Sequence, residues 1–187
     1  ATFGLWFTSL LEREQQNTSW LNNGRPASYW MTGFFNPQGF LTAMKQEVTR
    51  LHKKDNPPWA LDDVVYHTQV TEHEHVEHVR TPPKEGVYIH GLYLDGCAWS
   101  KPHNTLVESE PKVLFHPLPV LYVTGVTKSQ KKESKSQFGS QGPYECPCYK
   151  YPARTDRYII FMVDLNTAQE APSHWVLRGT GLLCSTD

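Results

Sequence analysis

The chain has 187 residues, a formal net charge of −1, and 20% charged residues. That balance excludes the basic footprint of a nucleic-acid binder and the like-charge block of a polyanionic tail. No apolar run approaches a membrane span, and no charged segment leading into an apolar run opens the chain as a secretion signal, so no membrane association is expected. A polypeptide of this length can bury roughly 70% of its extended surface, as one domain or two closely packed ones, without disulfide or metal. Cys97, Cys146, Cys148 and Cys184 are thinly spread and read as reduced thiols in a cytosolic compartment. Asn17-Thr18-Ser19 matches a glycosylation sequon, but nothing else marks the protein as secreted.

Phe3, Trp6, Phe7, Leu10 and Leu11 recur at helical spacing, with Leu21 later on the same side. Glu14, Asn17 and Thr18 dilute that stripe, so the helix is expected to be partly exposed or packed on something outside this chain. The helical pattern is already under way at Ala1, which suggests a piece of something longer. Asn22-Asn23-Gly24 stops the helix and Pro26 prevents its continuation.

A second helix is specified more sharply. Asn36 suits an N-cap and Pro37 the first helical position, where its missing N–H costs nothing. On that numbering Phe35 and Phe40 are placed to form a hydrophobic staple. Phe40, Leu41, Met44, Val48 and Leu51 supply one buried face. Arg50, His52, Lys53 and Lys54 bring positive charge to its C-terminal end, and Asn56-Pro57-Pro58 ends it. Trp30, Phe34 and Phe35, just upstream, are too apolar to leave in water. Trp30, Phe34, Phe35, Asn36, Pro37 and Phe40 therefore form the expected structural anchor, with Phe34, Phe35 and Phe40 buried against one another. The sharp turn between the helices predicts an antiparallel pair.

After Trp59 the pattern becomes β. Residues 64–70 (VVYHTQV), 87–94 (VYIHGLYL), 112–115, 119–126, 144–151, 158–165 (YIIFMVDL) and 175–184 read as short strands. They are rich in β-branched and aromatic residues and are separated by Gly, Pro, Asn and Asp. With no amphipathic helix read between them, an antiparallel sandwich or incomplete barrel is expected. The fold class is thus α+β: a helical part at 1–58 and a β part at 59–187, packed as one unit. Residues 71–84 read as a charged loop. Residues 128–142 (KSQKKESKSQFGSQG) read as a mobile polar loop whose lysines can face either solvent or an acidic partner.

Candidate chemistry is sparse. His73, His75 and His78 form the densest cluster of metal-capable side chains, and a site would need Cys146 or Cys148 or a carboxylate to complete four-coordination. Their spacing does not reproduce HExxH, and a solvated loop is the competing reading. In a strand, Cys146 and Cys148 would share a face with Pro147 opposite, which suits a structural position. There is no GxSxG elbow, no GxGxxG after a strand and no GxxxxGK[ST] phosphate loop. No catalytic, cofactor-binding or metal residue is assigned.

Taken together, SYWMTGFFNPQGFLTAMKQE, VYIHGLYLDGCAW, the PVLYV strand, YECPCYKYPAR and HWVLRGTGLL resemble the C-terminal domain of dynein heavy chains, most closely the axonemal branch. The resemblance covers nearly the whole sequence, in order. It implies a helical part followed by an incomplete antiparallel barrel, lying on one face of the heavy chain's AAA+ ring. It implies a non-catalytic module with no cofactor, in the cytoplasm and the cytoskeleton of a cilium or flagellum. ATP hydrolysis would belong to the ring and microtubule binding to a stalk elsewhere, so no direct microtubule contact is expected here. Phe3, Trp6, Phe7 and Leu10 would be contacts to the ring or another partner, with further dynein subunits as additional partners. Two other readings stand beside it: a free-standing β-sandwich binding module using the loops around His73 and Lys128, and a metal-dependent hydrolase using His73, His75 and His78.

Overall fold

A computed structural model describes residues 2–168 and 170–186 of the protein. Helix α1 (Phe3–Asn23) is capped by Thr2, whose hydroxyl accepts from the Leu5 N–H, and ends at Gly24, where φ is +81°. The short strand β1 (Tyr29–Trp30) leads through a 3₁₀ turn (Met31–Gly33) into α2 (Pro37–Leu51). Asn36 caps α2 through its side-chain oxygen, which accepts from the Gly39 N–H at 3.0 Å. Gly39 leaves room for that cap, because a Cβ there would lie 2.8 Å from the Asn36 amide.

Helix α2 buries Pro37, Leu41, Met44 and Val48. That face lies on a four-stranded sheet ordered β1-β3-β8-β2, built from β2 (Val64–Val70), β3 (Val87–His90) and β8 (Leu121–Thr127) with β1 at one edge. Gly125 of β8 permits the approach: a Cβ there would meet Val64 at 2.8 Å and Val48 at 3.6 Å. Strands β2 and β8 pair antiparallel along their full length, whereas β1 joins β3 in parallel.

The second sheet is ordered β10-β9-β11-β4-β7. It comprises β4 (Tyr93–Asp95), β7 (Phe115–Pro117), β9 (Tyr144–Tyr149), β10 (Ile159–Leu165) and β11 (Gly181–Leu183). A hairpin of β5 (Ala98–Ser100) and β6 (Thr105–Val107) stands beside it. The two sheets meet where β2 lies against β10, with the Thr68 hydroxyl accepting from the Asp164 N–H at 3.0 Å, but no ladder joins those strands. The class is α+β and the barrel is not closed. Ile89, Leu94, Leu121, Val123, Cys146, Cys148, Val163, Leu165 and Leu182 fill the space between the layers.

Several expectations need correction. Residues 87–94 form two strands rather than one, because Gly91 (φ +83°) turns the backbone from the first sheet to the second. A Cβ at Gly91 would lie 2.6 Å from the Trp30 ring, so glycine is required for space as well as for φ. Lys112 adopts φ +71° in a turn, and the strand expected there begins only at Phe115. Residues 175–184 divide at Gly179 (φ +67°): α4 (Pro172–Leu177) comes first, with Pro172 in its first turn and Trp175 buried, and β11 follows.

Residues 128–142 are not simply a loop. Helix α3 (Lys128–Lys135) opens with a reciprocal cap between Thr127 and Gln130 and runs into a 3₁₀ turn (Ser136–Phe138). Its lysines mask a helix that is held by charge rather than by apolar burial. Lys131 and Lys135, one turn apart, pair with Asp164 and Glu145 on the sheet. The pairing is also mixed rather than purely antiparallel, since β11 lies parallel to β9.

Candidate functional site

Trp20, Tyr29, Phe34 and Phe40 form one aromatic cluster where α1, β1 and α2 meet. The Phe34 and Phe40 rings stack at 4.4 Å and 14°, and Tyr29 lies 4.7 Å from Phe40 and 5.2 Å from Trp20. Phe35 is not a member. It is 65% exposed and lies under the Arg13 guanidinium at 5.3 Å, so the staple expected between Phe35 and Phe40 is made by Phe34 instead. The cause is local. Phe34 has an extended backbone, and successive side chains on extended backbone point to opposite sides. Lys150 donates to the Phe35 carbonyl, which fixes the outward turn.

Helix α1 is moored by polar groups. The Gln16 side chain brackets Trp30, accepting from its N–H at 2.7 Å and donating to its carbonyl at 3.2 Å. The half-buried positions of α1 are Ser9, Arg13, Gln16 and Trp20, spaced i, i+4, i+7, i+11, which makes one stripe facing the body. Phe3, Trp6, Phe7 and Leu10 form a second stripe about 100° away around the helix, at 3.6 residues per turn. They are 79%, 56%, 47% and 38% exposed. Leu11 and Leu21 are exposed as well, and no described residue of α1 is buried. The helix thus turns a mainly polar stripe that ends in Trp20 toward the body and leaves its apolar stripe in solvent, unlike an ordinary surface helix. Phe3 packs only loosely on its neighbours, 6.3 Å from Phe7 and 5.9 Å from Trp6 between ring centroids.

The other candidates do not assemble into a site. His75 and His78 lie 5.5 Å apart between ring centroids, and His73 instead approaches Tyr88. Cys146 and Cys148 are fully buried on the inner face of β9, with Pro147 on the other face. Among the described residues, no group of three or more His, Cys, Asp or Glu is placed to hold a metal ion. Burial pushes the Cys97 thiol up to about 12 and the Cys146 thiol well above its ordinary value, which keeps both protonated. No described helix is long and apolar enough to cross a membrane.

Two residues that matter here are not legible in the sequence. Gln16 reads like any exposed polar residue of a helix, and only the proximity of Trp30 gives it a role. Asp164 sits in an apolar strand pattern and is buried, paired with Lys131. The one hint is a carboxylate inside YIIFMVDL.

Fold and face together define an α+β module that carries an uncovered apolar helix outside its own core. The family model for the C-terminal domain of the dynein heavy chain matches residues 1–184, and the protein belongs to that family. It is 51% identical over 184 residues to dynein axonemal heavy chain 8 of Homo sapiens, and also 51% identical over 184 residues to dynein axonemal heavy chain 5 of Mus musculus. It is 49% identical over 189 residues to the flagellar outer-arm dynein gamma chain of Chlamydomonas reinhardtii. These matches cover 98%, 98% and 100% of this sequence, which spans 4% of the length of each relative. Neither the free-standing binding module nor the metal-dependent hydrolase finds support in these likenesses.

Proposed function

We propose that this protein is a non-catalytic module of an axonemal dynein heavy chain, docking through α1 on the AAA+ ring of the same heavy chain. Residues 1–58 supply the docking helix and its aromatic anchor, and residues 59–187 supply the rigid body, the two acting as one unit. Its place is the cytoskeleton of the ciliary or flagellar axoneme, as the names of its relatives suggest.

The observation that carries this reading is the outward stripe of Phe3, Trp6, Phe7 and Leu10. A large apolar side chain left in water forfeits roughly 1.5–3 kcal/mol of burial, and no charged residue interrupts the sequence before Glu12. A rigid body bound to the ring shifts its conformational equilibrium only by contacting its states unequally. A coupling of about 1–3 kcal/mol changes that equilibrium roughly 5- to 150-fold, enough to tune ATP-driven, microtubule-based movement without chemistry in this domain.

The test is rebinding of the protein to a dynein motor truncated to lack this domain. Trp6→Glu/Leu10→Glu should fold as the parent does, since both side chains are exposed, and should bind at least tenfold more weakly. Equal binding by parent and variant would remove α1 from the interface. Nucleotide added to the protein alone should leave its thermal midpoint unmoved, whereas a concentration-dependent rise would contradict the non-catalytic reading.

A further inference from the structure

His52 caps the C-terminal end of α2 between two carboxylates from different parts of the sequence. Its Nδ1 lies 2.7 Å from Asp55 Oδ2 and its Nε2 lies 3.0 Å from Glu85 Oε2. The ring stacks on Trp59 at 4.0 Å and 14°, which fixes its plane. Glu85 belongs to the segment entering β3. Its carbonyl accepts from the Tyr122 hydroxyl at 2.9 Å, and Arg25 donates to the carbonyl of Gly86 at 3.2 Å.

A cleft of about 360 Å³ lies between these elements. Trp20, Phe40 and Leu51 line its helical side, and Lys84, Glu85 and Val87 line its sheet side. The His52–Glu85 contact ties one side to the other.

Both contacts require a donor on the ring. Imidazolium carries two N–H groups, whereas neutral imidazole carries one N–H and one lone pair. A neutral His52 can therefore satisfy only one of its two carboxylates. The Asp55 contact is shorter and only three residues away, so it is the one retained. The Nε2 lone pair then faces the Glu85 carboxylate, and that contact becomes repulsive.

We propose that His52 is a proton-operated latch: charged, it holds residues 84–87 against the end of α2, and neutral, it releases Glu85 and loosens that wall of the cleft. Other charged groups surround His52. Lys53 and Lys54 follow it in the sequence and are exposed, Arg50 is paired with Glu47 at 2.7 Å, Lys84 is exposed beside Glu85, and Asp62 and Asp63 are exposed beyond Trp59. Lysine, arginine and carboxylate side chains ordinarily keep one charge state between about pH 5 and 8, which leaves His52 as the member that changes. Hydrogen bonds to Glu85 and then to Asp55 raise the pKa of the ring above its ordinary 6.5. The latch is accordingly complete below that ordinary value and is lost as pH rises through the raised one.

The experiment follows the His52 ring resonances through a pH titration of the protein, beside Glu85→Gln and Asp55→Asn, with amide exchange over residues 84–87 corrected for intrinsic rate. The midpoint should lie above 6.5 and fall toward it in Glu85→Gln. Protection of residues 84–87 should drop as pH rises through that midpoint, by at most tenfold for each pH unit separating the latched and released values. Glu85→Gln should remove this dependence while the rest of the molecule keeps its protection. A midpoint at or below 6.5, or a pH dependence that survives Glu85→Gln, would overturn the latch. Neither measurement involves a partner, so the outcome is independent of the docking proposed for α1.

Discussion

Gln16 holds both main-chain polar groups of Trp30, its N–H at 2.7 Å and its carbonyl at 3.2 Å, across the junction between α1 and the body. A single side chain thus completes the hydrogen bonding of a strand-edge residue and moors a 21-residue helix that buries no side chain of its own. Gln16→Ala removes both bonds and leaves two partly buried backbone groups unpaired. The expected loss is about 1–3 kcal/mol in urea denaturation, with faster amide exchange along α1. Unchanged exchange in α1 would show that Trp20 alone holds the helix.

The exchange of roles between Phe34 and Phe35 separates two neighbouring substitutions. Phe40→Ala opens the stack on Phe34 and Tyr29 and should cost about 3 kcal/mol, the low end for buried aromatics, because the ring is half-buried. Phe35→Ala should cost less than about 1 kcal/mol, the scale of an exposed cation–π contact with Arg13. Denaturant midpoints at constant slope measure both, and equal losses would return Phe35 to the anchor.

The Lys131–Asp164 pair is largely enclosed, with side-chain exposures of 17% and 6%. Lys131→Ala would leave the Asp164 carboxylate buried without its partner and should cost about 3 kcal/mol. Lys132→Ala, one residue along on the outer side of α3, should be within about 0.5 kcal/mol of the parent. Matching losses would mean that α3 does not rest on the sheet through Lys131.

His90 responds to pH in the opposite sense to His52. Burial lowers its pKa to about 4, with Ser28 Oγ at 2.8 Å from its Nδ1. Between about pH 6.5 and 4 the unfolded state binds a proton that the folded state refuses, so stability falls as pH drops through that window. In urea denaturation, His90→Gln should flatten the slope between pH 7 and pH 5. A slope as steep as in the parent would assign the acid sensitivity elsewhere.

The sequence by itself determined the local elements whose signals are covalently close. Asn36 and Pro37 specify the start of α2 from two adjacent residues, because an N-cap and a proline φ are short-range requirements. The alternation in YECPCY likewise puts Cys146 and Cys148 on one face without reference to any partner strand. The motifs also carry the family, since long ordered words survive without any three-dimensional argument.

Tertiary structure decided what depends on distant partners. Whether residues 128–142 form a helix turns on Asp164 and Glu145, which anchor lysines that read as solvated. Whether 87–94 is one strand or two turns on Gly91 meeting the Trp30 ring, which comes from the far side of α2 in the sequence. Which of Phe34 and Phe35 faces the core depends on Lys150 and Arg13. The outward stripe of α1 is legible as apolar, but its direction is not. Helical periodicity sets the angles between side chains, and only the body that Gln16 and Trp20 grip sets which of those angles is inside.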